Sequence, residues 1–549
     1  MAELMDITTA QLLNRSAAEY GQRPAVHYPD RNLQWTYQEL REQARHVARG
    51  LIGLGVRPGE HVSIWAANRP EWLLTQLGTG VLGAVLVTVN TNHRSAELAQ
   101  QLEHSQTSTL VLQAQFKDIA SLEILDELIP ELRSAPAGEL HSERFPHLRR
   151  VICLDPTDHP GVLGWDALLE AGSAVSETEL DEYCAQVSPD DATNMQYTSA
   201  ADGSPKGVLL THKNIINNGA QVAERMRLGG DDRLCVPVPF FHCFGCVLGN
   251  MGALASGATL VPVESFHPRT VLETVETGRC TALHGVPTMF RAELDDPDFE
   301  RFDLSTLRTG IMAGAECPRE LMEAVMERMG ATEMTIAYGL TEASPAITQT
   351  APDDPLDQRV ATVGRPLQHV EVKIVDPSGG TAPLPTGEAG ELCARGPNIM
   401  KGYFNDPEAT QRAIDADGWL HTGNLADRDE HGYFRILGVL QEMVIRGGEN
   451  IYPKEIEAYL QNHPEVAEAA VVGVPDANYG EELSAWVVPA AGSNPGAEAI
   501  RAYCRSGIAR FKVPRYIDVV ESLPKEDGGG VDKAALREQA VTHYANPSG

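Results

Sequence analysis

The chain has 549 residues, with 76 Asp and Glu against 44 Lys and Arg, and a formal net charge of −32. Hydrophobic residues make up 42% of the chain, an ordinary globular composition with enough apolar material for about two to four folding units. The acidic excess argues against nucleic acid and anionic membrane surfaces as partners, because their negative charge would repel it.

Targeting signals are absent from the sequence pattern. The N-terminus lacks a basic start followed by an apolar block, and no apolar run reaches the ~20 residues that span a bilayer. Nine cysteines, an odd number, are scattered along a large chain, which is typical of reduced thiols. The sequence therefore predicts a cytoplasmic protein without a membrane span.

Helical and strand-like segments alternate along the first part of the chain. Residues 39–54 and 71–82 repeat apolar side chains at helical spacing. Residues 61–65, 84–89 and 109–112 are short apolar runs that are typical of buried strands. This alternation predicts an α/β layered fold with largely parallel sheets.

The middle of the chain begins with a polar excursion at 120–161, and 370–375 and 387–395 are predicted strands. The last part of the chain has a different pattern of predicted helices and strands, and the boundary lies near 436–441. Its elements are a helix at 455–461, strands at 467–474 and 485–489, and a helix at 497–506. This pattern predicts a small, separate α+β domain.

One segment has the composition of an anion-binding turn. Residues 197–208 read YTSAADGSPKGV and are predicted to join a polar strand to a helix that starts near His212. Such a turn would direct backbone N–H groups and Lys206 at an anion.

Further motifs follow in order along the chain. They are PFFHCFG at 239–245, AGAE at 313–316, AYGLTEAS at 337–344, WLHTGNL at 419–425, RGGENIYPKEIE at 446–457 and LPKEDGGGVDK at 523–533. The series resembles the AMP-forming acyl-CoA synthetases of the adenylate-forming enzyme superfamily, and its details resemble the medium-chain acyl-CoA synthetase branch. The resemblance covers essentially the whole chain.

The resemblance implies a fold and a two-step reaction. The expected fold is α/β: a large N-terminal domain, residues 1–436, with two parallel-rich layered subdomains and a β-barrel-like third, then a small mobile α+β domain, residues 437–549. In that family ATP converts a carboxylate into an acyl-adenylate with release of pyrophosphate. The C-terminal domain then rotates, and the thiol of CoA attacks the adenylate.

Site residues also follow from the resemblance. The implied substrate-binding residues are Cys243, Gly314, Ala315, Glu316, Tyr338 and Gly339. Thr341 would touch the α-phosphate, Glu342 would hold Mg²⁺, and His242 would gate the carboxylate. Gly447 and Gly448 would line the phosphopantetheine tunnel, where the lack of side chains permits close approach.

The sequence departs from the family at the ATP site. Ala200, Ala201 and Asp202 replace the Gly-Thr-Thr of the phosphate loop, which removes two hydroxyl donors and adds a carboxylate. A fixed anion ~4 Å from a phosphate costs ~1–4 kcal/mol at effective dielectric constants of 80 to 20. The ATP-site motif is therefore degenerate at its phosphate end.

Three further positions differ. Asn424 replaces the ribose-binding aspartate, Val439 replaces the hinge arginine, and Gly530 stands where the family has its catalytic lysine. Lys525 and Lys533 flank that last position. A charge-assisted hydrogen bond contributes ~1.5–3 kcal/mol, so these losses predict a protein that no longer adenylates efficiently.

Three hypotheses for the function follow. The leading one is an ATP-independent protein that transfers, hydrolyses or cyclises an activated acyl thioester, with His242 as the general base. Its cofactor would be a CoA or phosphopantetheine thioester, and its partners an acyl-CoA or acyl carrier protein and a small-molecule acyl acceptor, with a homodimer left open. The second is an ATP- and Mg²⁺-dependent medium-chain acyl-CoA ligase, and the third a non-catalytic acyl-binding or scaffold protein.

Local alternatives remain for single residues. His242, Cys243 and Cys246 form an H-C-x-x-C pattern without a clear fourth ligand, so the predicted role is an apolar pocket wall, and no metal site is predicted. A nucleophilic cysteine stays open. Lys206 either binds an anion or pairs with Asp202.

Overall fold

The computed structural model describes residues 3–199, 205–440, 443–490, 492–525 and 531–545. Its strands in chain order are β1 Pro24–Tyr28, β2 Leu33–Thr36, β3 His61–Trp65, β4 Val85–Thr88, β5 Thr109–Leu112, β6 Gln115–Phe116, β7 Ile119–Ala120, β8 Arg150–Cys153, β9 Leu163–Gly164, β10 Ala192–Ser199, β11 Pro205–Thr211, β12 Arg233–Val236, β13 Thr259–Pro262, β14 Ala282–Gly285, β15 Thr309–Ala313, β16 Glu333–Gly339, β17 Ala346–Gln349, β18 Arg365–Pro366, β19 Glu371–Val375, β20 Gly390–Arg395, β21 Gly402–Tyr403, β22 Leu420–Arg428, β23 Phe434–Val439, β24 Val444–Arg446, β25 Glu449–Ile451, β26 Val466–Asp476, β27 Gly480–Pro489 and β28 Tyr516–Val519.

The α-helices in chain order are α1 Thr9–Tyr20, α2 Tyr37–Gly53, α3 Pro70–Leu82, α4 Ser95–Ser105, α5 Ser121–Leu128, α6 Trp165–Ala171, α7 Glu177–Cys184, α8 His212–Arg225, α9 Gly252–Ser256, α10 Pro268–Gly278, α11 Pro287–Leu294, α12 Arg319–Arg328, α13 Leu356–Ala361, α14 Pro407–Ala413, α15 Pro453–Gln461, α16 Ala497–Gly507 and α17 Lys533–Ala540. A π-helical segment, Phe244–Met251, precedes α9. Short 3₁₀ turns at Thr341–Ala343 and Arg510–Lys512 matter for the site and for the contact between domains.

The first sheet has nine strands in the order β18-β17-β16-β15-β14-β12-β13-β1-β2. Strands β16, β15, β14, β12 and β13 run parallel to one another. Every residue of β14 and β15 is buried, without an inside–outside alternation. This is typical of parallel strands, because both faces of their sheet are covered. The carboxyl ends of these strands therefore meet at one edge of a buried sheet.

The second sheet has eight strands in the order β21-β11-β10-β4-β3-β5-β8-β9. Neighbouring strands are parallel along the part of the sheet that comprises β10, β4, β3, β5, β8 and β9. Strands β10 and β11 form an antiparallel pair. Together, the two sheets confirm the predicted parallel-rich α/β layers of the large N-terminal domain.

The third and fourth sheets are smaller. The third is a four-stranded antiparallel sheet, β19-β20-β22-β23, and the fourth combines β25-β24-β27-β26 with β28 beside β27. The fourth sheet packs with α15 and α16 around its own hydrophobic core, which confirms a small α+β C-terminal domain. The third sheet ends at Val439 and the fourth begins at Val444, and the exact division at 436/437 stays a prediction.

Two strands differ from the sequence prediction. Strand β8 falls inside the segment predicted to be a polar excursion, and it pairs with β5 near one edge of the second sheet, next to the last strand β9. The 197–208 motif was predicted to join a strand directly to a helix, but β11 intervenes before α8 begins at His212. The motif therefore connects two antiparallel strands, and residues 200–204 between them lie outside the described residues.

Candidate functional site

The predicted site residues cluster at the carboxyl edge of the first sheet. Adjacent parallel strands β12, β14, β15 and β16 end there, and ligands of open α/β sheets bind at this edge. His242 and Cys243 follow β12, Gly314, Ala315 and Glu316 follow β15, and Thr341 and Glu342 follow β16. The sheet topology thus brings together segments that are separated by up to a hundred residues in the chain.

Glu342 contacts Tyr403, which in turn contacts Lys206. The Tyr403 hydroxyl donates a hydrogen bond to Glu342 Oε1 at 2.8 Å, and the Lys206 ammonium lies 4.6 Å from the centre of the Tyr403 ring. Burial raises the pKa of the Glu342 carboxyl, although the Tyr403 hydrogen bond and the Lys206 charge act in the opposite direction. Any cation that binds beside this carboxylate would stabilise its ionised form.

These residues fit a magnesium ion that arrives with a phosphate substrate. Mg²⁺ is usually held by one or two carboxylates together with substrate phosphates and water, so it needs no complete cage of protein ligands. Glu342 supplies one buried carboxylate on the 3₁₀ turn that follows β16. Thr341 precedes it on the same turn and is half-buried.

Asn424 lies beside the predicted adenine pocket. The Tyr338 hydroxyl donates a hydrogen bond of 2.6 Å to Asn424 Oδ1, and Asn424 pairs in register with Val439 across β22 and β23. The Val439 side chain is 41% exposed. The amide nitrogen of Asn424 can donate a hydrogen bond to a ribose hydroxyl, a capacity that the sequence-based account of this position left out.

The turn after β15 forms an open rim. Gly314 and Glu316 are exposed and Ala315 is half-buried. Gly339, at the end of β16, is tightly enclosed by backbone, because a Cβ there would stand 1.7 Å from the Pro345 carbonyl oxygen. Glycine is therefore required at 339 for the close approach of two backbone segments.

The C-terminal domain contributes a glycine turn to this edge. Gly447 and Gly448 link β24 to β25 with φ of +60° and +87°, the pair of positive φ angles that a type I′ hairpin turn needs. The Gly448 Cα would lie 3.9 Å from a Cβ placed on Gly314. The turn therefore lies directly against the rim of the N-terminal domain.

A polar contact next to this turn joins the two domains. His242 Nε2 donates a hydrogen bond of 3.1 Å to Glu449 Oε2, and the imidazole retains 42% exposure. Burial acts to lower the pKa of His242, but the Glu449 carboxylate more than reverses that effect and raises it. The Tyr452 hydroxyl lies 3.4 Å from Thr198 Oγ1, at the end of β10.

The cysteines beside His242 are buried thiols. Burial raises the pKa of Cys243 well above its ordinary value and that of Cys246 to about 12. Cys246 Sγ accepts a hydrogen bond from Gln196 Nε2 at 3.0 Å. A thiol in this environment stays protonated near neutral pH and is a poor nucleophile, which favours the pocket-wall interpretation.

One group of metal-ligating side chains lies on the third sheet. Within the described ranges, Glu391, Cys393 and His421 have ligand atoms within 4.8 Å of one another. His421 Nδ1 lies 2.8 Å from Glu391 Oε2 and 3.4 Å from Cys393 Sγ. Glu391 also accepts the Gly423 N–H at 3.0 Å, so its hydrogen bonds support the backbone next to Asn424.

Several sequence-predicted positions lie outside the described residues, namely Ala200, Ala201, Asp202 and Gly530. The lysines that flank Gly530 are both paired within the C-terminal domain. Lys525 forms an ion pair with Glu468, and Lys533 Nζ lies 2.7 Å from Glu457 Oε1.

Sequence reasoning missed three residues that contact the site. Tyr403, Glu449 and Tyr452 each form a polar contact with a predicted site residue or with the end of β10. Glu449 and Tyr452 lie inside the RGGENIYP motif, so the motif was the available signal. Nothing in the sequence pattern linked Tyr403 to Glu342.

Comparison with known proteins identifies the class to which this architecture belongs. The AMP-binding enzyme family matches residues 13–404, and its C-terminal domain family matches residues 455–529. The chain belongs to the AMP-binding enzyme family and therefore to the adenylate-forming superfamily of acyl-CoA synthetases.

Individual relatives extend over nearly the whole chain. It is 50% identical over 544 residues to the "Putative acyl-CoA synthetase YngI" of Bacillus subtilis, and the matched segment covers 99% of each protein. It is 37% identical to the mitochondrial medium-chain acyl-CoA ligase ACSF2 of Rattus norvegicus, covering 99% of this chain and 89% of that one. In structure it resembles the amide bond synthetase McbA of Marinactinospora thermotolerans, with a TM-score of 0.81, 29% identity and coverage of 97% and 99%.

These relatives overturn the leading functional prediction. The expectation of an ATP-independent thioester-processing protein is wrong, because full-length relatives at up to 50% identity are named as synthetases and ligases. The prediction took several side-chain changes together as enough to disable adenylation, although costs at one shared site need not add. It also gave the side chains more weight than the backbone N–H groups of the loop, which can bind phosphate whatever side chains the loop carries.

Across the described part of the chain, no helix has both the length and the apolar character needed to cross a membrane.

Proposed function

We propose that this protein is an ATP-dependent acyl-CoA ligase. An oxygen of the substrate carboxylate attacks the α-phosphorus of ATP, and pyrophosphate leaves. The sulfur of CoA then attacks the acyl carbon, and AMP leaves with the carboxylate oxygen. The observation that carries the proposal is the Gly447–Gly448 turn of the C-terminal domain, which lies against the Gly314 rim where the predicted nucleotide residues meet.

Roles in the first half-reaction follow from the geometry at the sheet edge. Glu342 would hold Mg²⁺, and Lys206, which lies over the Tyr403 ring, would face the phosphates. Thr341 would contact the α-phosphate. Gly314, Ala315, Glu316, Tyr338 and Gly339 would surround the adenine.

Roles in the second half-reaction fall to the contact between the domains. Gly447 and Gly448 would leave room for the pantetheine chain, because neither carries a side chain at the rim. His242 would lie where the acyl group meets the thiol, held by Glu449. Cys243 would form part of the acyl-pocket wall.

The substrate class and the compartment are part of the same proposal. A medium-chain carboxylic acid is supported by the ACSF2 relatives, which are named medium-chain acyl-CoA ligases. All nine cysteines are free thiols, which supports a reducing compartment such as the cytoplasm.

The test is a coupled assay with ATP, Mg²⁺, CoA and straight-chain acids that include octanoic and decanoic acid. We expect acyl-CoA, AMP and pyrophosphate in equal amounts, and acyl hydroxamate when hydroxylamine replaces CoA. Acyl transfer from a supplied acyl-CoA without ATP, together with no hydroxamate, would contradict the proposal.

The Asn424 position gives a graded test of nucleotide binding. Asn424→Asp is expected to lower the KM for ATP by about three- to tenfold, because one carboxylate oxygen can accept the Tyr338 hydroxyl while the other accepts a ribose hydroxyl in a charge-assisted bond. Asn424→Leu, which is similar in size but has no polar atom, should raise that KM. Equal KM values for all three proteins would show that this side chain does not contact the ribose.

A further inference from the structure

A buried ion bridge crosses between the two domains. Lys512, on the 3₁₀ turn Arg510–Lys512 of the C-terminal domain, lies with its Nζ 2.8 Å from Glu97 Oε1. Glu97 is in the first turn of α4, in the N-terminal domain. The same Nζ lies 2.5 Å from Glu455 Oε1 on α15 of the C-terminal domain. One ammonium therefore binds two carboxylates, one from each domain.

The bridge is shielded from solvent. The side chains of Lys512, Glu97 and Glu455 are 10%, 7% and 19% exposed. Charged side chains are rarely buried to this degree unless they are paired. Burial acts to lower the pKa of Lys512, but its two carboxylate partners more than reverse this, and Lys512 in turn lowers the pKa of Glu97. Lys512 and Glu97 are therefore both charged near neutral pH.

The two ion pairs of the bridge differ in whether they depend on the orientation of the C-terminal domain. Lys512 and Glu455 belong to the same domain, so their contact survives any rotation of that domain. The contact of Lys512 with Glu97 exists only while the C-terminal domain lies in the orientation seen here. A contact that forms in one orientation and is lost in the other shifts the equilibrium toward the first.

The bridge lies close to the second contact between domains, His242 with Glu449. His93 is within electrostatic range of both pairs, and burial lowers its pKa to about 4, so it adds no positive charge near neutral pH. Among the described residues, Lys512 with Glu97 and His242 with Glu449 are side-chain pairs that cross the interface, and His242 lies at the site itself.

We propose that the Glu97–Lys512–Glu455 bridge is a positioning element that holds the C-terminal domain in the orientation for thioester formation. Lys512 does not touch the reacting atoms. It keeps the Gly447–Gly448 turn and Glu449 against the N-terminal site while the thiol attacks. This inference rests on the proposed ligase function, since it concerns the second half-reaction of that activity.

The experiment measures the two half-reactions separately in single-turnover conditions. Acyl-adenylate formation is followed by pyrophosphate release without CoA, and thioester formation by rapid quench after CoA is added to the preformed adenylate. Lys512→Met and Glu97→Gln are each expected to slow thioester formation by about tenfold and to leave adenylate formation within about twofold. The double variant should be slowed no more than either single variant, because both remove the same contact.

A matched control lies on the same helix as Glu97. Glu103 pairs with Arg144 at 2.7 Å inside the N-terminal domain, and both side chains are about half exposed. Glu103→Gln makes the same chemical change on α4 without breaking a contact between domains, so it should leave both half-reactions unchanged. The melting temperature of each variant shows whether it is folded.

The outcomes separate this inference from the proposed function. If the wild-type enzyme forms acyl-adenylate and acyl-CoA, but folded Lys512→Met and Glu97→Gln keep the wild-type rate of thioester formation, the bridge has no positioning role. Equal slowing of both half-reactions would contradict it as well. A wild-type protein that forms no acyl-adenylate would overturn the ligase function, and the bridge's role would fall with it.

Discussion

Glu342→Gln is expected to slow acyl-adenylate formation by about 10²–10³-fold. The substitution keeps the size of the side chain and the oxygen that accepts the Tyr403 hydroxyl, but removes the negative charge. Under the proposed role of Glu342, Mg²⁺ would then lose its negatively charged protein ligand. The rate of pyrophosphate release in a single turnover, measured at saturating ATP and Mg²⁺, tests this expectation.

Tyr403→Phe is the matched control for the Glu342 variant. It removes the 2.8 Å hydrogen bond to the carboxylate but leaves the charge and the aromatic ring beneath Lys206. We expect a loss of less than about tenfold, because a bound Mg²⁺ would still pair with the carboxylate and spare it the larger cost of a buried charge left unpaired. A Glu342→Gln rate within twofold of the wild type would contradict the assignment of this carboxylate to the metal.

Gly448→Ala is expected to slow thioester formation by about 10–100-fold and to leave adenylate formation nearly unchanged. A Cβ at this position would stand 2.8 Å from Val286 Cγ1, closer than real carbon contacts allow. Overpacking of this kind costs ~1–3 kcal/mol, and it arises only when the C-terminal domain lies against the N-terminal site. The same two single-turnover measurements used for Lys512 separate the half-reactions.

Gly492→Ala distinguishes the effect of the contact with Val286 from the effect of backbone strain. Gly492 has a φ of +84°, close to the +87° of Gly448, but a Cβ there would meet no atom within 4 Å. Its alanine variant therefore suffers the same left-handed strain without the contact, and should form thioester at the wild-type rate. If both alanine variants lose thioester formation equally, strain within the C-terminal domain is the cause, and the close approach to Val286 is irrelevant.

The elements predicted well from sequence were those with a strong local pattern. Strands β3 and β5 were predicted at 61–65 and 109–112, the bounds that the structure gives. Strand β8 was missed because its four residues follow a long polar stretch, and its burial comes from pairing with β5, which is distant in sequence. Strand β11 was missed because its Pro-Lys-Gly start was assigned to the anion-binding turn.

The candidate site was predictable where a motif follows a strand. Gly314 and Glu342 lie where the ends of parallel strands place them, which local sequence and topology rules can anticipate. The contacts between domains could not be anticipated in this way. Lys512 and Glu97 are 415 residues apart, and each alone is an ordinary charged residue in a polar segment.

The functional prediction failed because it gave the side-chain changes at the ATP site too much weight. At Asn424 the loss of a carboxylate was counted as a loss of ribose binding, although the amide keeps the Tyr338 hydrogen bond and retains two donors. The costs of changes at one shared site are not additive, so the separate losses do not give the combined effect.

Isotope transfer from the carboxylic acid to AMP tests the central claim most directly. The enzyme is incubated with ATP, Mg²⁺, CoA and octanoic acid that carries ¹⁸O in both carboxylate positions, and the AMP is analysed by mass spectrometry. The ligase account predicts one ¹⁸O atom in each AMP, because the oxygen that attacks the α-phosphorus leaves with AMP when the thiol attacks the acyl carbon. Acyl-CoA formed alongside unlabelled AMP, or formed without ATP, would contradict it.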